Sequence, residues 1–294
     1  MPPKDAVRSQ PAAPPILSLL SSAEVVVETE RWEGGFSHEP EVCGAGVTGS
    51  FDPCVVHTKE VATGTGSIDV EPFGVFAGDS CSPYGLAARD FLGRARRKLA
   101  SCESNLIESE LWRGTLARAA TPDWPNKYLA HLDSDVLTDS PTTPRRALAC
   151  LEQALAECNC GSQGMIHAMP QIVTEWVAEG FLRRVTVDGR EQLHTYLDTI
   201  VVPGSGYDGS GPPGVVDGPP TSAADGSIWA YATGMVHIRL APVVVTPSSN
   251  EEALDRVTNL ITYRAERLVA ATFDCCHAAV ELDIDLCGIG GAGS

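Results

Sequence analysis

Basic residues are scarce in this 294-residue sequence: 21 Lys and Arg stand against 38 Asp and Glu, for a formal net charge of −17. That balance excludes a surface built to neutralise phosphates or anionic lipid. Long apolar runs are missing too, since no stretch approaches the ~20 apolar residues of a membrane helix. Ala13 to Val27, the nearest thing to a leader, is interrupted by prolines, serines and Glu24, so neither a leader nor a membrane contact is expected. Zincin, EF-hand and P-loop spacings are absent, and Gly64-Thr65-Gly66 lacks the strand-turn-helix context of a phosphate loop. Ten cysteines in a chain of this length fall short of a secreted disulfide framework, which makes reduced, cytosolic thiols the expectation.

What is present suits a folded protein, with 43% hydrophobic and 20% charged residues and length enough for one large core or two smaller ones. Met1 to Pro15 carries five prolines and mixed charge and reads as an arm that needs a partner surface to become ordered. Val55 to Val70 reads as a polar hairpin around Gly64-Thr65-Gly66-Ser67, with too little apolar surface for a core of its own. Ser82 as N-cap and Pro83 at the first helical position predict a long helix reaching Leu116, on the order of 45–50 Å at ~1.5 Å per residue. Its apolar stripe is Leu92, Ala95, Leu99, Cys102 and Leu106, with Arg94, Arg96, Arg97 and Lys98 placed to pair with Asp90, Glu103 or neighbouring molecules.

Beyond an Asp-, Pro- and Thr-rich loop, Pro144 opens a helix on Leu148, Leu151, Leu155 and Cys158, and Pro170 opens another on Ile172, Val173, Trp176 and Val177. Val185–Val187, the Asp188-Gly189 turn and Leu193–Val202 predict a hairpin. Residues 203–227, with seven glycines and five prolines, read as a long exposed loop. Strands are expected at Ile228–Ala232, Val236–Val245, Thr262–Phe273 and His277–Leu286, and Ser249 to Glu252 is a capping box. In the last strand Val280, Leu282, Ile284 and Leu286 alternate with acidic residues, giving one buried and one wet face. The fold class is α+β.

Two clusters invite chemistry and neither supports it. Gly78-Asp79-Ser80-Cys81-Ser82 comes close to a serine-hydrolase elbow but lacks the closing glycine, and a Ser-Pro helix start accounts for the same residues. Cys158-Asn159-Cys160 and Cys275-Cys276-His277 lack zinc-ligand spacing and read as small buried hydrophobes. No catalytic, cofactor-binding or metal-ligating residue is assigned, and no enzyme activity or cofactor is expected.

In order and spacing, several segments resemble the major capsid proteins of tailed phages with the Hong Kong 97-like fold, particularly the short forms of actinobacteriophages. They are Pro72-Phe73 with Val75 to Ser82, Arg89-Asp90-Phe91, Gly93-Arg94-Ala95, Glu108 to Gly114, and Ala265 to Leu268 continuing through Asp274-Cys275-Cys276 to Ala279. The resemblance implies an N-terminal arm (1–36), an extended β-hairpin loop region (37–78), and a peripheral domain (79–143 and 247–275) with a spine helix over 83–116. It further implies an axial domain (144–246 and 276–287) and a flexible tail (288–294). Hexamers and pentamers of the chain would form an icosahedral head that encloses double-stranded DNA without sequence-specific binding. Scaffolding, portal and decoration proteins are the other partners implied; the location is the virion, with assembly in the host cytoplasm. The 203–227 loop would sit at the capsomer centre. Lys59 stands where some relatives crosslink neighbouring subunits, although a solvated loop lysine is commonplace. The alternatives are an encapsulin-like nanocompartment shell and a soluble hydrolase using Ser80 or a Cys/His pair.

Overall fold

The computed structural model describes residues 14–28, 34–40, 66–81, 90–158, 163–215, 218–222 and 226–284. The first part contains α1 (Leu19–Ser22), β1 (Glu24–Val27), β2 (Phe36–His38), β3 (Ile68–Val70), β4 (Phe73–Cys81), α2 (Phe91–Arg113), α3 (Thr115–Ala119) and β5 (Asp135–Val136). Next come α4 (Pro144–Cys158), β6 (Met165–Ala168), α5 (Pro170–Ala178), β7 (Leu182–Val187), β8 (Arg190–Thr195) and β9 (Ile200–Pro203). The chain continues through β10 (Ser227–Thr233), β11 (Val236–Leu240), β12 (Val244–Thr246), α6 (Asn250–Ala253), β13 (Leu254–Asp255), β14 (Leu260–Phe273) and β15 (His277–Asp283).

Two sheets carry the architecture. In one, β14 is the central rail: β4 pairs along one side, and β11, β12 and β13 along the other, with β1 added in parallel outside β11. The other has the order β5-β15-β10-β6-β9-β8-β7. Its side chains alternate between two cores: Ile166, Val201, Ala230 and Ala232 face α4 and α5, while Met165, Ile200, Val202 and Tyr231 join the core beneath α2. That period of two is what a sheet buried on both faces requires.

The helices depart from expectation at the long one. Its N-cap is Asp90, whose Oδ1 accepts from the Gly93 N–H at 2.7 Å. A beam from Ser82 and Pro83 is therefore corrected to one starting at Phe91, about 35 Å long; residues 82–89 lie outside the described ones. It stops at Arg113 because Gly114 turns left-handed (φ 58), and Thr115–Ala119 is a separate short helix. A Cβ on Gly114 would stand 2.2 Å from Tyr128 Cδ1. Gly114→Ala combines that clash with about 1 kcal/mol of left-handed strain, and a drop of ~2–3 kcal/mol in urea-unfolding free energy is expected.

Segment boundaries shift for reasons of pairing. Glu24–Val27, in the expected arm, and Phe73–Gly78, in the expected loop region, are ladder strands of the β14 sheet. Val236–Thr246, assigned to the axial half, also pairs with β14, whereas Asp135–Val136 joins β15. Of the Val55–Val70 hairpin, only its end is described, and Ile68–Val70 pairs with Phe36–His38. The expected strand Leu193–Val202 is two strands, parted by a turn in which Asp198 takes φ 74. Helices at Pro144 and Pro170 and the Ser249 cap, which accepts from Glu252 N at 3.3 Å, stand where the sequence puts them.

Candidate functional site

The two sheets meet where two strand pairs run through both. β10 pairs with β15 up to Thr233↔His277, and β11 pairs with β14 from Val236↔Phe273. Between these points Gly234 and Met235 oppose Asp274, Cys275 and Cys276, one residue more, which is a β-bulge. Gly234 N–H donates to Cys275 O (3.1 Å), Asp274 N–H to Met235 O (3.0 Å), and Cys276 takes φ 81. The extra residue re-aims its neighbours: Asp274, 5% exposed, turns toward His38 and His237, and His277 toward Leu129 O.

Cys276 is bonded to Cys158 at the end of α4, with Cα atoms 5.7 Å apart, and Cys275 is also disulfide-bonded. This overturns the reading of both cysteine clusters as reduced, inert core residues. Sequence could not reveal it because the partners are 118 residues apart. The bond also removes Cys276 as a thiolate nucleophile. Ser80 lies within β4, paired with Thr262 of β14, its hydroxyl 2.8 Å from Thr262 Oγ1, whereas a nucleophile elbow places its serine on the turn itself. The basic run on α2 serves structure: Arg94 and Lys98 both pair with the buried Asp79, Arg97 pairs with Asp90, and Glu103 takes Arg267 of β14 at 3.2 Å. Lys59 and Gly64-Thr65-Gly66 lie outside the described residues.

The Gly/Pro-rich segment is only partly an exposed loop. Glu108, fully buried on α2, accepts from Leu19 N (3.0 Å), Ser104 Oγ (2.9 Å), Ser205 Oγ (3.2 Å) and Gly206 N (3.0 Å). A Cβ on Gly206 would lie 2.1 Å from Asn105 O, so this approach to the helix requires glycine. Trp112 Nε1 donates to Ser210, Tyr231 Oη donates to Ser210 O, and the Trp112 ring lies 4.7 Å from Tyr207 and 4.9 Å from Tyr231. Paired N–H and C=O groups of Gly211 and Thr221 close the base of the remaining tip, where Val215 is exposed. The expectation of exposure throughout 203–227 is corrected: backbone with little side-chain bulk is what packs closest to α2.

Two buried imidazoles flank this region. His167 bridges Tyr207 Oη and Thr233 Oγ1, each at 2.9 Å, and burial, reinforced by His277, pushes it down to about 3. Burial likewise pushes His277 down to about 4, against the pull of its acceptor Leu129 O. In the unfolded chain both take a proton near pH 6.5, while the folded chain refuses it, so their stability contribution is full above 6.5 and is lost as pH falls toward 4 and 3. Between pH 7.5 and 5.5 these two imidazoles are expected to lower the urea-unfolding free energy by about 2–3 kcal/mol, offset in part by His237, which Asp274 and Glu24 hold above the usual imidazole range against its burial. His167→Asn is expected to remove roughly half of the two-histidine loss.

Other surfaces are left uncovered among the described residues. Among the described residues β4 pairs only with β14, leaving the outer edge of a nine-residue strand open, with Phe76 61% exposed. Tyr196 and Leu197, at the turn after β8, are 73% and 75% exposed, and Val257, at the turn before β14, is 94% exposed. Open strand edges and protruding apolar tips suit contact with other molecules.

No family model and no curated protein sequence matches the chain. Solved structures do, along nearly the whole length. A chain of the holo-SrpI encapsulin complex of Synechococcus elongatus PCC 7942 is 11% identical with a TM-score of 0.53, over 100% of this chain and 96% of that one. The capsid of Ralstonia phage GP4 is 10% identical with a TM-score of 0.53, over 97% of each chain. A chain of Gordonia phage Cozz is 11% identical with a TM-score of 0.52, over 97% of this chain and 91% of that one. The fold is the Hong Kong 97-like one of phage capsids and encapsulins.

Proposed function

We propose that this chain is the major capsid protein of a tailed double-stranded-DNA phage, a structural subunit that assembles with itself into hexamers, pentamers and a closed icosahedral head. The observation that carries the reading is whole-length likeness to solved capsid structures: the match covers 97% of this chain and 97% of the Ralstonia phage GP4 capsid chain. The open β4 edge and the exposed Phe76, Tyr196, Leu197 and Val257 supply contact surface that a monomer would leave wet. A formal charge of −17 suits a wall that contains DNA without gripping it.

In this reading α2 with the β14 sheet forms the peripheral domain, the seven-stranded sheet with α4 and α5 forms the axial domain, and the bulged crossing joins them. The 212–220 tip, rather than all of 203–227, faces the capsomer centre. Assembly takes place in the host cytoplasm, and scaffolding, portal and decoration proteins meet the shell there.

The encapsulin likeness supports a second reading, a nanocompartment that houses protein. Negative-stain microscopy of the purified chain separates shell from non-shell: capsomer rings or uniform closed particles are expected, and a monodisperse monomer at high concentration would overturn the proposal. Particles purified from their natural source decide the cargo, because nuclease-protected DNA marks a phage head and a co-purifying enzyme marks a nanocompartment.

A further inference from the structure

Three side chains from three separate segments converge beside the bulge: His38 from β2, His237 from β11 and Asp274 from the turn, each offering a ligand atom within 4.8 Å of the others. We propose that they bind one divalent transition-metal ion of the Zn2+ class through His38 Nε2, His237 Nε2 and a carboxylate oxygen of Asp274. Imidazole nitrogen with one carboxylate oxygen is a donor set that Zn2+, Co2+ and Ni2+ favour, and three protein ligands leave a position for water.

The spacing is close to what an ion needs. His38 Nε2 lies 2.7 Å from Asp274 Oδ1, and His237 Nε2 lies 3.2 Å from Asp274 Oδ2. Ligands held ~2.0–2.1 Å from a tetrahedral ion stand roughly 3.4 Å apart, so an ion would open the His38–Asp274 pair by about 0.7 Å and the His237–Asp274 pair by about 0.2 Å. The ring centroids of His38 and His237 are 4.3 Å apart. His237 Nε2 is buried and, 3.2 Å from Asp274 Oδ2, makes no aligned hydrogen bond. Its other nitrogen, Nδ1, is 3.0 Å from Glu24 Oε2 on β1. A proton held on Nδ1 by Glu24 leaves the Nε2 lone pair facing inward, which is the carboxylate-histidine support found behind metal-bound imidazoles. Both rings are partly open to solvent, at 16% and 22% side-chain exposure, which admits the ion and its water.

Such an ion would fasten β2 to the junction between the two sheets, a coupling of segments 236 residues apart. The test uses the full chain freed of metal by chelator and then titrated with Zn2+ by calorimetry and with Co2+ by absorption. One ion per chain is expected, with visible cobalt bands and no near-ultraviolet thiolate charge-transfer band. His38→Gln and Asp274→Asn are each expected to weaken Zn2+ binding at least tenfold, and Glu24→Gln about tenfold. Zn2+ is further expected to raise the thermal midpoint of the wild-type chain and to leave that of His38→Gln unmoved. Protection of His38 and His237 from diethyl pyrocarbonate by Zn2+ in the unmutated chain reads the same site without any variant. The proposal is overturned by an absence of stoichiometric binding, by wild-type affinity in both His38→Gln and His237→Gln, or by a cobalt spectrum dominated by thiolate.

Discussion

Replacing Glu108 with alanine is expected to lower unfolding stability by about 3–5 kcal/mol, a fall of roughly 10 °C in thermal midpoint for a chain of this size. The reason lies in what the carboxylate satisfies. Its two oxygens accept from two backbone N–H groups, of Leu19 and Gly206, and from the hydroxyls of Ser104 and Ser205. A serine hydroxyl can turn to another acceptor, but a backbone N–H fixed by its neighbours cannot. Each buried donor left without a partner costs ~1–3 kcal/mol. The effect is also spatially specific, because Leu19 and Gly206 attach the N-terminal segment and the Gly-rich segment to α2. Chymotrypsin is expected to cut Glu108→Ala at Tyr207, which is 3% exposed in the intact fold, well before global unfolding. Uniform loss of stability with Tyr207 still protected would show that Glu108 does not anchor the segment.

The second large effect belongs to the disulfide. Joining Cys158 to Cys276 closes a loop across 118 residues of sequence, and chain-entropy arithmetic for such a loop gives about 4–5 kcal/mol. The double variant Cys158→Ala/Cys276→Ala is expected to lose most of that in urea unfolding, whereas Cys102→Ala and Cys150→Ala, at free thiols, should remain close to wild type. Adding reductant to the wild-type chain should cost at least as much as the double variant, because Cys275 is also disulfide-bonded. If reductant and the double variant both left the midpoint unchanged, the bond would be absent in solution.

Elements whose cause is local were legible in the sequence. Pro144 and Pro170 at helix starts, the Leu148, Leu151 and Leu155 spacing, the alternation in β15 and the Ser249 cap all act within a few residues, and each stands where expected. The long helix was misread at its start because Ser82-Pro83 and Asp90 both suit a cap in sequence, and Asp90 accepts from the Gly93 N–H. Glycine content signals exposure when nothing covers the backbone; at Gly206 the same lack of side chain admits α2. The cysteine pairing and the His38, His237, Asp274 triad left no local trace, since their members meet only after two sheets have formed. The bulge that gathers them depends on a mismatch of one residue between strands some 40 positions apart. The Hong Kong 97-like resemblance was carried by the order of weak segments, and superposition over nearly the whole chain bears out the fold at an identity of only 10–11%.

In the proposed role as a shell subunit, the doubled strand crossing has a mechanical meaning. A container filled under pressure is stretched within its wall, and tension passing from one half of a subunit to the other must travel through whatever joins them. Here it runs along extended backbone, β10 into β11 and β14 into β15, so covalent bonds bear the pull where packed side chains would slide. The bulge interrupts the ladders on that path, with one residue more on the 274–276 side than on the 234–235 side. Cys276 sits in the bulge, and its bond to α4 gives the stretched strand a second anchor.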